Sequence, residues 1–170
     1  MKYIPLLKRK TILFVACFIF AATSNIFAQD MSVPGNLQAA LFKKIFAFDK
    51  TLKSKGNIEV VVLAGDGSGD AIVSNFKGAG LNARSVKGNQ IPSGASVVYI
   101  MPGVGSTKQQ SAQKGVLSIT GVASYVNEGK VAIGIGTEGG KPKIIIHMGQ
   151  LKAEGQEVSA DLLQIAKVIQ

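Results

Sequence analysis

Two runs of branched apolar residues constrain the fold more than any other feature of the chain. Residues 58–63 are apolar apart from Glu59, and residues 97–101 read Val-Val-Tyr-Ile-Met. A strand with one wet face alternates polar and apolar side chains, so runs like these belong in the middle of a sheet covered on both faces. A sheet of that kind is largely parallel, and parallel neighbours need long crossover connections, usually helices. The chain provides them. A short helix over residues 71–76 precedes an edge-type strand over 81–86, a polar helix over 107–114 precedes a strand over 116–120, and another short helix follows over 122–127. The expected fold is α/β, a sandwich of helices around a largely parallel sheet that ends in an antiparallel hairpin and a C-terminal helix.

The chain enters this sheet through an amphipathic helix. From Pro34 to Leu52 the positions Leu37, Leu41, Ile45, Phe48 and Leu52 fall on one side of a 3.6-residue repeat, with a proline near the start. Phe42 and Phe46 lie one turn apart and off that stripe. Such a helix either buries a second face inside the domain or offers two aromatics to another protein.

After the first strand comes Gly65-Asp66-Gly67-Ser68-Gly69-Asp70. A dinucleotide-binding loop needs a third glycine where this chain has Ala71 or Ile72, and the two aspartates would repel a pyrophosphate. The stretch reads instead as a turn in which Ser68 or Asp70 caps the next helix.

The C-terminal hairpin has strands over residues 131–136 and 143–147, joined through Glu138-Gly139-Gly140-Lys141-Pro142. Side chains alternate along a strand, so Val131, Ile133 and Ile135 make one face and Ala132, Gly134 and Gly136 the other. A face that bare admits close approach, either by one of the protein's own helices or by a partner. The candidate partner-binding residues are therefore Ala132, Gly134 and Gly136, with Ile145 and His147 on the second strand. A closing helix over 159–169 follows. Ser159 is its N-cap, Asp161 and Lys167 match its dipole, and Leu162, Ile165, Ala166 and Ile169 form its buried stripe.

The N-terminus reads as an export signal. Lys2, Lys8, Arg9 and Lys10 precede an apolar run, and Ile26-Phe27-Ala28 places a small residue before Gln29, so cleavage after Ala28 is expected. Residues 1–28 are then the signal peptide and residues 29–170 a single domain in the periplasm. A retained membrane anchor is the alternative, although Thr23, Ser24 and Asn25 interrupt the apolar run before it spans hydrocarbon comfortably. Cys17, the sole cysteine, lies inside that run rather than at its end, where a lipidation site belongs. Cleavage leaves a domain without cysteine, held together by its core rather than by disulfides.

Four of the 19 Lys and Arg residues lie in the signal, so the domain carries +5 against its 10 acidic residues. These charges are dispersed, aromatics are few and no nucleic-acid motif is present, which argues against nucleic acid. Attraction to anionic headgroups or cell-wall polymers is the more natural consequence. A catalytic constellation is missing as well. His147 is the sole histidine, no cysteine survives processing, and no His, Asp and Glu spacing suggests a metal site or an enzyme. No cofactor is expected.

The final segment resembles the YfiR-like family of periplasmic proteins. That family runs glycine, strand, turn, strand, small helix, glycine and then I-S-S-x-L-L-x-L-A-x-V. The corresponding residues here are 129–135, 143–147, Gly155 and Val158-Ser159-Ala160-Asp161-Leu162-Leu163-Gln164-Ile165-Ala166-Lys167-Val168. Ala39-Ala40-Leu41-Phe42-Lys43-Lys44-Ile45-Phe46 is similar to the family's first helix, and residues 58–65 to its first strand. The chain departs from the pattern at His147, where the family usually has asparagine, and in lacking the cysteines that pair in some members. The resemblance implies a periplasmic regulator that restrains a membrane-bound diguanylate cyclase by direct contact. A second copy of the chain is the other partner considered. The competing function is a small-ligand or cell-wall-fragment binding protein, with its crevice near Gly65 and residues 102–106.

Overall fold

The computed structural model describes residues 31–65, 67–104 and 113–170. The expected helix over 107–114 falls mainly outside them. Seven strands form one sheet in the order β2-β1-β3-β4-β5-β6-β7. They are β1 (Glu59–Leu63), β2 (Asn82–Val86), β3 (Val97–Ile100), β4 (Leu117–Thr120), β5 (Ile133–Glu138), β6 (Lys141–His147) and β7 (Lys167–Ile169). The first five run parallel, β6 returns antiparallel to β5, and β7 lies parallel to β6. The two unbroken apolar runs are neighbours at the centre, with Val60 to Leu63 and Val97 to Ile100 fully buried.

Helices cover the two faces unequally. One face carries α1 (Gly35–Phe46), α2 (Lys50–Lys53), α3 (Asp70–Gly78), α5 (Met148–Ala153) and α6 (Ala160–Ile165), whose apolar residues pack with Val60, Val62, Tyr99, Ile119, Ile133 and Ile146. The other face carries α4 (Ala123–Asn127) and connecting segments, packed against Val61, Val98, Ile100 and Ile145. The doubly covered, largely parallel sheet with an antiparallel hairpin is the architecture the apolar runs predict.

Three elements differ from the sequence reading. The single helix expected over 34–52 is two, because Asp49 accepts a hydrogen bond from the Leu52 N–H at 2.9 Å and starts a new helix there. Its buried face is also rotated. Gln38, Ala39, Phe42, Ile45 and Phe46 point inward, whereas Leu37 and Phe48 are exposed. The off-stripe aromatics are thus core: Phe42 lies 6.2–6.3 Å from the rings of Phe46, Phe76 and Tyr99. At α3, neither Ser68 nor Asp70 is the N-cap. Gly69 holds that position, and its backbone lies so close to β1 and β2 that a Cβ would sit 2.5 Å from Ser85 Oγ.

The third difference is at the C-terminus. Ser159 caps α6 as expected, accepting from the Leu162 N–H, but the helix stops at Ile165 and the chain turns extended at Ala166. Residues 167–169 then pair with residues 145–147 of β6. The open edge of β6 offers backbone partners that a further helical turn cannot, and Val168 and Ile169 are branched residues suited to a strand. Of the predicted buried stripe only Leu162 is buried, whereas Ile165 is 58% exposed. We therefore expect Leu162→Ala to cost about 2–5 kcal/mol. Ile165→Ala should stay within about 0.5 kcal/mol of wild type. Urea unfolding of both variants checks the pair, and equal losses would mean that α6 is turned the other way.

Candidate functional site

The hairpin that carries the candidate partner residues is closed by two glycines. Gly139 and Gly140 have φ of 57° and 75°, the backbone a two-residue hairpin turn requires, and Glu138 pairs directly with Lys141. The turn is thus tighter than the five-residue connection the sequence suggests. Ile133 and Ile135 face the larger core, as alternation predicts, but Val131 precedes the strand and packs on the opposite side.

The bare face is filled from within. A Cβ on Gly134 would lie 2.5 Å from Val126 Cγ2, and one on Gly136 would lie 3.0 Å from Ala123 Cβ, so α4 rests directly on the glycine backbone. Gly134 and Gly136 are buried beneath α4 and Ile145 is buried on the same side, but Ala132, which like Val131 precedes the strand, packs in the larger core on the opposite side rather than on the glycine face. Of the five candidate residues only His147 retains partial exposure. Close packing by the protein's own helix is the arrangement present, and it leaves no room for a second occupant on that face.

His147 serves as the N-cap of α5. Its Nδ1 accepts the Gln150 N–H at 3.1 Å, and its ring lies against Gly129, where a Cβ would come within 2.9 Å of Nε2. Asparagine, usual here in the resembled family, caps a helix through its side-chain oxygen in the same way. The substitution therefore keeps the local hydrogen-bonding role.

The crevice expected where β1 and β3 diverge is partly closed. Val104 is buried and would lie 3.4 Å from a Cβ on Gly65. Beside it, an open cleft of about 460 Å³ is lined by Gly67, Ser68, Gly69, Asp70, Ser85 and Lys87. Ser68 Oγ donates to Asp70 Oδ2 at 2.7 Å and accepts from the Asp70 N–H at 3.2 Å, so the loop satisfies its own polar groups. Gly105 and Ser106, part of the expected crevice, lie outside the described residues. Among the described residues, no group of three His, Cys, Asp or Glu side chains is placed to hold a metal ion. No described helix is long and apolar enough to cross a membrane.

The most organised polar site was missed by the sequence reading. Below the first paired residues of β4 and β5, Ile119 and Ile133, the two strands separate, and the fully buried Glu154 fills the gap. Its Oε2 accepts the Ser118 N–H at 2.9 Å. Its Oε1 accepts from Ser118 Oγ at 2.5 Å and Gln150 Nε2 at 3.0 Å, while Ser118 Oγ in turn accepts the Ala132 N–H at 2.8 Å. The carboxylate thus takes a backbone donor that the short ladder leaves open. Burial nevertheless pushes the Glu154 carboxyl up to about 7 against the pull of these donors, with the Asp49 charge adding to the rise. One signal could have found it: an acid at a helix C-terminus, followed by Gly155, opposes the helix dipole and calls for a specific partner.

A second buried polar pair fixes the start of the domain. Tyr99 donates to Gln38 Oε1 at 2.7 Å, and Gln38 Nε2 donates to the Val33 carbonyl at 2.6 Å. Burial holds the Tyr99 hydroxyl far above its ordinary range, so it acts as a permanent donor. Met31 pairs with Val122 in the same region.

A YfiR/HmsC-like family model matches residues 36–167, from the first turn of α1 to the first residue of β7. The chain belongs to the YfiR/HmsC-like family. The match takes in β1 to β6, the hairpin and the Glu154 site, and stops on the first residue of β7. No curated protein matches the chain. The family is one of regulatory, non-catalytic periplasmic proteins associated with cyclic-di-GMP signalling.

Proposed function

We propose that this YfiR/HmsC-like protein is a periplasmic regulator that restrains a membrane-bound diguanylate cyclase by direct contact. The observation that carries this reading is the family match over residues 36–167. Export supports it: the reading places the signal at residues 1–28, with cleavage after Ala28, and the domain at residues 29–170. The contact is assigned to the C-terminal segment, in keeping with the resemblance there, but to its outer surface rather than to the glycine face. Ile165 and Val168 are exposed large apolar residues on α6 and β7, and among the described residues β7 ends the sheet with an unpaired edge. Exposed apolar groups beside an open strand edge fit the pairing of a protein partner better than a soluble ligand does.

The test is capture from detergent-solubilised envelope with the wild-type protein and with an Ile165→Glu/Val168→Glu variant. Both positions are exposed, so the variant should fold with a near-wild-type urea midpoint. Wild type is expected to retain a membrane-bound cyclase and the variant to lose at least tenfold of it. Equal retention by the folded variant would move the contact elsewhere. Capture of no membrane protein, with a cell-wall fragment bound instead, would favour the ligand-binding alternative.

A further inference from the structure

Lysines that lie scattered in the sequence are gathered at one end of the fold, the end where β1 and β4 begin. Three separate stretches of chain are tied together there. Lys50 N–H donates to the Glu157 carbonyl at 2.8 Å, Thr51 Oγ1 donates to the Gly155 carbonyl at 3.4 Å, and Gly115 N–H donates to the Glu154 carbonyl at 2.7 Å. Lys55 reaches across to the Gly115 carbonyl with its Nζ. Lys50, Lys53 and Lys55 come from α2 and the segment after it, Lys114 from the approach to β4, and Lys152 from the last turn of α5, and all of them are exposed. The acids of the same stretches do not offset them at the surface. Asp49 and Glu154 have no exposed surface, and Glu154 is turned inward onto Ser118 and Gln150. Glu157 is exposed but paired with Lys50. Among the described residues, Lys53, Lys55, Lys114 and Lys152 form no ion pair with an acidic side chain.

We propose that this lysine-rich end docks the domain on an anionic phospholipid surface. Charge complementarity carries the choice. Lys50, Lys53, Lys55, Lys114 and Lys152 outnumber Asp49, Glu154 and Glu157, so the end is positive even with both buried carboxylates ionised. The charges it presents to an approaching phosphate are mainly ammonium groups. Lysine is a compact charge on a flexible stem, free to follow headgroup phosphates that shift in the plane of a bilayer, whereas recognition of one fixed carboxylate or phosphate calls for the planar fork of arginine. Arg84, the sole arginine among the described residues, stands on β2 and is engaged by Glu59 at 3.1 Å. Phe48, two residues before Lys50, is also exposed. Lysines with an exposed aromatic beside them are the combination that holds interfacial segments at the headgroup boundary.

Each lysine close to an anionic membrane strengthens binding by about fivefold, and the attraction fades within about 8–10 Å at ordinary salt. Lysines spread over a whole surface therefore do little, and lysines brought to one end act together. The backbone bonds to the carbonyls of Glu154, Gly155 and Glu157 are what bring these to one end. The docked domain has a defined orientation. The starts of β1 and β4 face the bilayer, and the hairpin turn at Gly139 and Gly140, which follows the far end of β5, points away from it.

The experiment is co-sedimentation of the exported protein with vesicles of phosphatidylglycerol and phosphatidylcholine in equal parts, and with vesicles of phosphatidylcholine alone. Wild type is expected to sediment with the mixed vesicles, to be released by added salt, and to leave phosphatidylcholine alone unbound. Lys53→Glu/Lys114→Glu/Lys152→Glu alters exposed positions without ion pairs and should weaken binding to the mixed vesicles by at least about tenfold. Lys87→Glu/Lys141→Glu/Lys167→Glu makes the same change in net charge at exposed positions away from this end and should lose far less. Urea midpoints confirm that both variants fold, and glutamine at the same positions replaces glutamate if either does not. Equal losses in the two variants would show that binding follows overall charge and would overturn the proposal. So would equal binding to phosphatidylcholine alone, or binding to isolated cell-wall sacculi with none to the mixed vesicles. The vesicles contain no protein, so the result is independent of whether the domain restrains a cyclase.

Discussion

Gly134→Phe is expected to destabilise the domain by about 3 kcal/mol or more, at or beyond the upper end of ordinary overpacking. A Cβ alone at this position would come within 2.5 Å of Val126 Cγ2 and 3.4 Å of the Thr120 carbonyl oxygen. A phenyl ring needs the space that α4 occupies, and α4 cannot retreat without exposing Val126, which is fully buried with Val131 and Ile145. Urea unfolding and near-ultraviolet circular dichroism check it. A native-like midpoint would mean that α4 leaves the sheet at little cost, and would make the Gly134 and Gly136 face a contact surface. The gentler Gly136→Ala meets Ala123 Cβ at 3.0 Å and Ile145 Cδ1 at 3.1 Å, so it should lose less.

The architecture was legible because burial on two faces leaves an unambiguous trace. Val60-Val61-Val62-Leu63 and Val97-Val98-Tyr99-Ile100 have no polar position to turn outward, and they pair at the centre of the sheet. Periodicity was less informative at the domain's edges. Along residues 34–52 an apolar stripe and an aromatic pair compete, and hydrophobicity alone does not say which faces the sheet. At residues 166–169 a helical pattern and a strand pattern coincide, and the unpaired edge of β6 settles the matter in a way no local rule anticipates. The glycine face was readable as a place of close approach, but whether a helix or a partner approaches is a tertiary fact. Glu154 and Asp49 stayed hidden for the same reason. Each looks like an ordinary surface acid beside a helix end, and only the separation of β4 from β5 and the bridge to Val158 bring them inside.

Phe42→Ala is expected to cost about 3–5 kcal/mol, whereas Leu37→Ala, earlier on the same helix and on a different face, should cost less than about 0.5 kcal/mol. The contrast reverses what the apolar stripe of residues 34–52 implies, since Leu37 belongs to that stripe and Phe42 does not. Phe42 is fully buried and Leu37 is 40% exposed. Phe42 stands where α1 meets α3 and the sheet. Its ring stacks on Phe46, tilts against Phe76 and meets Tyr99 edge-on, and Phe76 meets Tyr99 in turn at 5.5 Å. Removing one ring from such a cluster leaves a cavity walled by aromatics that are themselves held in place, so collapse recovers little of the loss. Tyr99 is the least free of them, because its hydroxyl is bonded to Gln38 and through Gln38 to the Val33 carbonyl. Thermal and urea unfolding of the two variants decide between the faces. If Leu37→Ala proves the more damaging, α1 is rotated by roughly a third of a turn or more, and the aromatic cluster is not the core of the domain.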